Sequence, residues 1–157
     1  MPYLIAEESR GTGKPGDRIT ANTIDPRILH LVSLLATRDG IAPWSSCQGH
    51  TDYTRLIVGP FVAFKADTDR ACHIHNLVER LYVEGQLTLL WQLTGSFHGD
   101  QVLWSLRPTS VSIDQQRQPR SWFARSFGSL VTTAWRAVFD HDIAVIERGI
   151  RACTSLA

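Results

Sequence analysis

A chain of 157 residues, 43% hydrophobic and 20% charged, is long enough to bury one core and short for two ordinary domains. Sixteen Lys plus Arg against fifteen Asp plus Glu leave a net charge of +1, so no global field draws the protein to nucleic acid or to an anionic membrane, and any such contact has to be a local patch. The three cysteines, Cys47, Cys72 and Cys153, are odd in number and form no Cys-x-x-Cys pair, which argues against a disulfide-stapled secreted fold and for free thiols in the cytoplasm.

The segment Met1 to Glu8 has no basic start followed by an apolar stretch, and no run elsewhere approaches the length of a membrane span. A short strand is expected around Tyr3–Ala6, followed by a Gly-, Pro- and charge-rich connector over 9–18 that matches neither a P-loop nor a dinucleotide fingerprint. Asp25-Pro26 reads as a helix start, with the carboxylate accepting from free N–H groups and proline at the first helical position. The helix runs from Asp25 to Arg38 with Ile28, Leu31, Val32 and Leu35 on its core face, and Gly40 is a candidate left-handed cap.

Residues 42–47 form a short strand or extended turn, 51–60 a loop with some strand content, and 61–65 a strand. Asp67-Thr68 caps a second helix whose apolar face is Ile74, Leu77, Val78 and Leu81, closed by Gly85. Leu87 to Leu93 alternates, as do Val102, Trp104 and Leu106, which predicts a hairpin turning near Phe97-His98-Gly99-Asp100. Residues 107–120 are polar and proline-bounded and read as a linker. From about Ser129 the chain is helical, with Trp135, Phe139, Ile143, Ile146 and Ile150 in one stripe. Together these elements predict one α/β (α+β) domain over 1–157: a small mixed sheet packed by helices, a partly irregular segment at 1–24 and a long helix in the C-terminal region 121–157.

The segment Ser45-Ser46-Cys47-Gln48-Gly49-His50 is the main functional candidate, since it places two hydroxyls, a thiol, an amide, a flexible glycine and an imidazole between a helix and a strand. With Trp44, Tyr53, Lys65 and His98 from neighbouring elements it outlines a polar pocket. Two sharper chemistries use the same residues. Cys47 is a candidate nucleophile with His50, His73 or His98 as its base. Cys47 and His50 could also join Cys72 and His75, or His73, in a structural zinc site, although Cys72 lies opposite the apolar stripe of its helix and should face solvent. Ordinary packing explains Trp91 and Trp104 as core anchors, while Trp44 and Trp122 are free to line a pocket. Lys65, Arg55, Arg107, Arg117, Arg120 and Arg125 are candidates for a local phosphate-binding surface or, more simply, solvated charges.

The order helix, Ser-Ser-Cys-x-Gly, strand, helix and two further strands resembles the wybutosine-synthesis tRNA methyltransferase-like family, which carries Ser-Cys-Ser-Gly-Arg in a comparable place. The matching positions are Ser46, Cys47, Gln48, Gly49 and His50, within a similarity of arrangement spanning residues 25–107. Gln48 stands where the family has serine and His50 where it has arginine, so a fixed charge becomes a neutral or switchable imidazole. The C-terminal helical region has no counterpart there. The resemblance implies a related fold, a pocket at residues 45–50 and methyl transfer from S-adenosylmethionine.

The leading expectation is therefore a ligand-binding domain with a nucleotide or RNA ligand and no membrane partner. The rival expectation, from another class, is a non-enzymatic interaction module in which Trp135 and Phe139 of the C-terminal helix form a protein interface or a homodimer.

Overall fold

A computed structural model describes residues 24–51, 56–109 and 122–153, with side chains over 24–49, 59–109 and 133–153. Helix α1 covers Leu29–Ala36, β1 Ala42–Cys47, β2 His50–Thr51, β3 Leu56–Val58, β4 Phe61–Lys65, α2 Thr68–Val83, β5 Trp91–His98, β6 Gln101–Pro108 and α3 Trp122–Ala152. The architecture is α+β, as the sequence predicts. The expected strand at Tyr3–Ala6, the connector over 9–18 and residues 110–120 of the expected linker lie outside the described residues.

The main sheet has the order β1-β4-β6-β5, and β2 and β3 form a separate small pair. Every pairing in the main sheet is antiparallel, which corrects the expectation of a mixed sheet. The physical reason lies in the order: the α2 crossover sets β5 parallel to β4, and β6, joined to β5 by the two-residue Gly99-Asp100 turn, inserts between them and so runs antiparallel to both. Gly99 has φ +65°, and positive φ at the first central residue alone is the primed hairpin geometry that glycine permits without strain.

Alternation along the strands sorts the side chains to two faces. Val62, Phe64, Trp91 and Leu106 point into the helix-packed core and are at most 1% exposed, joined by Leu31, Leu35, Ile74, Leu77, Val78, Phe139, Ile146 and Ile150 from the three helices. Trp91 and Trp104 both serve this core, Trp104 with its Nε1 donating to the Ala66 carbonyl at 3.1 Å. Trp104 also lies across its partner Gly95, whose missing side chain leaves room for the indole: a Cβ there would sit 3.0 Å from the ring.

Helix α2 starts where its cap predicts, with Asp67 Oδ1 accepting from the Arg70 N–H at 2.7 Å. Helix α1 differs from expectation. It begins at Leu29, four residues after Asp25; the Asp25 carbonyl accepts from Ile28 and Leu29, while its carboxylate accepts instead from the Gln48 backbone N–H at 3.0 Å. The side chain read as a local cap is a long-range tie.

Helix α3 begins at Trp122, earlier than the expected Ser129, and closes the core. It is joined to α1 by His30 Nδ1 and Glu147 Oε2 at 2.7 Å, and to the turns on either side of α1 by the Arg27–Asp140 ion pair and by Arg38 Nη2 donating to the Ile150 carbonyl at 2.9 Å. It meets α2 closely at Gly149, where a Cβ would stand 3.0 Å from Leu81 Cδ1 and 3.1 Å from Leu77 Cδ1. Its Asp142 is fully buried and accepts from the backbone N–H groups of Thr88 (2.8 Å) and Leu89 (2.9 Å) and from Trp91 Nε1 (3.1 Å). Those bonds explain why β5 starts at Trp91 and not at Leu87: the preceding amides are spent on a carboxylate from α3. No helix among the described residues is long and apolar enough to cross a membrane.

Candidate functional site

Of the ten residues singled out from the sequence, Ser45 and Ser46 are half-buried in β1 and six others separate into two groups. Cys47, Gln48 and Gly49 belong to a locked turn. Trp44, Lys65 and His98 meet on the sheet face opposite the helices.

The turn is held from three directions. Asp25 accepts from the Gln48 N–H, and Arg136 of α3 donates from Nη1 to the Gln48 carbonyl (2.6 Å) and from Nη2 to the Gly49 carbonyl (2.9 Å). The Gly49 N–H donates to Cys47 Sγ at 3.3 Å. Gly49 itself has φ +85°, a conformation that explains a glycine at this point without any ligand. These contacts use up the backbone groups that a pocket would offer a ligand, and the bidentate guanidinium makes the turn rigid. The Gln48 Oε1 is buried without a hydrogen-bond partner among the described residues.

Cys47 is buried, and burial pushes its thiol above the usual 9.0; the Gly49 N–H opposes this, the Asp25 charge adds to it and Arg136 opposes it. A thiol so placed is poor in thiolate at neutral pH, the reverse of what a cysteine nucleophile needs. The zinc reading gains no support from the described side chains. Cys72 is exposed on α2, as expected, and His75 Nε2 lies 3.8 Å from Glu79 Oε2 on the same helix. Among the described residues no three His, Cys, Asp or Glu side chains gather where they could hold a metal ion. The side chains of His50, Tyr53, Arg55 and Trp122, and Arg117, Arg120 and Arg125, lie outside the described ones.

The second group has a different character. Pro43 pairs with Phe64 and Ser45 with Ala63, so Trp44 is the extra residue of a β-bulge in β1. A bulge re-aims the side chain it carries. Here it sends the indole over the sheet, where Lys65 Nζ sits 4.4 Å from the ring centroid and the His98 ring lies 5.7 Å away, tilted by 54°. Trp44 is nevertheless 40% exposed. By alternation Ser96, Leu103, Ser105 and Arg107 share this face, with Arg107 Nη2 donating to Ser105 Oγ at 3.0 Å. Beside the cluster an open groove of about 560 Å³ runs between Ala42, Lys65, Asp67, Gln101 and Val102. The bulge is what sequence reasoning missed; Pro43, which has no N–H for a ladder, is the local sign of irregular pairing.

The stripe on α3 is committed elsewhere. Phe139 is fully buried and Trp135 stacks on it at 5.7 Å, so the residues read as an interface in the rival expectation pack within the protein. Compared with known protein families, curated proteins and solved structures, the chain finds no match.

Proposed function

We propose that this α+β domain binds a nucleotide or single-stranded RNA on the sheet face that carries Trp44, Lys65 and His98. The observation that supports this reading is the exposed Trp44 ring, lifted by a bulge beside a lysine ammonium and an imidazole at the mouth of a groove. An antiparallel sheet backed by helices, with an accessible aromatic ring and flanking cations on its other face, suits splayed bases: the ring stacks a base and the cations take phosphate. On binding, Lys65 exchanges its cation–π contact for a phosphate oxygen, and a face of the indole is released to the base. Arg107, further along the same face, extends the cationic track.

With a net charge of +1 the domain offers few phosphate contacts, so binding is modest and sensitive to salt. The likeness of Ser46–His50 to tRNA-modification proteins favours an RNA ligand. Methyl transfer from S-adenosylmethionine rests on that likeness alone and is not part of the proposal.

The test is a titration of short single-stranded oligoribonucleotides and nucleoside monophosphates at low salt, followed by tryptophan fluorescence and calorimetry. Trp44→Ala should lower affinity by about 1–3 kcal/mol, the usual worth of one stacked base. Lys65→Gln should reduce the salt slope by about 1. Absence of binding by the unaltered protein at low salt, or equal binding by Trp44→Ala, would overturn the proposal.

A further inference from the structure

The two edges of the main sheet are treated differently by the sequence. β1 carries Pro43 and the Trp44 bulge, both devices that stop a foreign strand from pairing. Among the described residues β5, the other edge, has a hydrogen-bonded neighbour only on its β6 side. Residues 92–98 of β5 contain no Pro, Lys, Arg, Asp or Glu, pair with β6 without a register shift, and are exposed apart from the half-buried Leu93. Phe97 stands on this strand 88% exposed.

An unguarded strand of this kind is a template for another strand. We infer that the edge of β5 that the described residues leave open pairs antiparallel with the β5 of a second copy of this chain, about a two-fold axis at Gly95, to make one continuous sheet. The sequence of the strand is self-complementary in that register. Phe97 comes opposite Leu93 of the copy, which covers the exposed ring with an apolar neighbour. Thr94 comes opposite Ser96 of the copy, a hydroxyl pair of the kind that stabilises antiparallel strands. Gly95 meets Gly95 at the axis, where no side chain obstructs the approach. Shifting the register by two residues in either direction puts Phe97 opposite Trp91 or Gly95 and leaves one hydroxyl pair, Thr94 with Thr94 or Ser96 with Ser96, in place of two. Because residues 92–98 carry no fixed charge, the two copies meet without the repulsion that a charged edge imposes in a symmetric pair.

The experiment uses light scattering behind size-exclusion chromatography across a dilution series. The unaltered protein is expected at twice the 17.6 kDa chain mass at high concentration. Thr94→Lys with Ser96→Lys places like charges opposite each other twice and should halve the measured mass. Thr94→Lys with Ser96→Glu places opposite charges there and should restore the dimer, which also checks that substitution at these exposed positions leaves the fold intact. A monomer for the unaltered protein, a dimer that survives the double lysine variant, or failure of the lysine–glutamate variant to dimerise would each overturn the inference.

Discussion

Replacing Asp142 tests how the C-terminal helix is fastened to the sheet. The carboxylate is fully buried and takes three hydrogen bonds, two of them buried, from Leu89 N–H and Trp91 Nε1, and a third, part-buried, from Thr88 N–H. Asp142→Ala leaves all three donors without their acceptor. A buried donor stripped of its partner costs about 1–3 kcal/mol, and water entering the vacated space recovers part of this, so the net loss should be about 3 kcal/mol. That is a large share of the about 5–15 kcal/mol by which a domain is stable. Asp142→Asn is the milder companion. Its carbonyl can stay where Oδ2 stood and keep Leu89 and Trp91, while its amide faces the Thr88 N–H, for a loss of about 1–2 kcal/mol. Urea unfolding followed by circular dichroism gives both values, provided the dependence on denaturant keeps its slope. A loss under about 1 kcal/mol for Asp142→Ala would refute the reasoning, because it would mean that burying the carboxylate costs about as much as its three bonds return.

Two further predictions concern thiol chemistry and helix packing. In the native protein, alkylation should reach the exposed Cys72 well before the buried Cys47. Because the folded state holds the Cys47 proton to a higher pH than the unfolded chain, stability present below the usual thiol value of 9.0 should fall as pH rises through the raised one. Cys47→Ala should flatten that alkaline decline in thermal melts; an unchanged decline would place its origin elsewhere. At the α2–α3 contact, Gly149→Leu drives a side chain into the ends of Leu77 and Leu81 and should cost about 1–3 kcal/mol by overpacking. An unchanged melting temperature would show that the helices separate freely at this point.

Much of the fold was legible because its signals are local. The Asp67 cap, the glycine of the hairpin turn and the core stripes of α1, α2 and α3 each act within a few residues, and the structure follows them. The errors share one physical origin. The pattern makes Asp25 a cap and the amides of Thr88 and Leu89 strand donors, but each is claimed by a partner far along the chain, Gln48 in one case and Asp142 in the other. The candidate site divides in the same way. Its polar run at 45–50 suggested a pocket, yet Arg136 reaches across 87 and 88 residues to occupy the Gly49 and Gln48 carbonyls, a contact no local pattern announces. Trp44, Lys65 and His98 stand on adjacent elements in the sequence reading, but what brings their side chains together is the β1 bulge and the β1-β4-β6-β5 order, which local patterns do not announce.

The dependence on α3 also bears on when the protein can fold. Residues 24–109 contain the whole sheet and two helices, but the Cys47–Gly49 turn, the start of β5 and much of the core await Arg136, Asp142, Phe139 and Ile146 from the last described helix. During synthesis, then, the hairpin and α2 can form early while their apolar face stays uncovered. The β5 edge, which has no second neighbour among the described residues, stands open over the same interval. The contacts that fasten this turn and the start of β5 can form only once α3 has left the ribosome. Translation pauses or chaperones that delay contact between neighbouring chains until that moment would therefore raise the yield of folded protein.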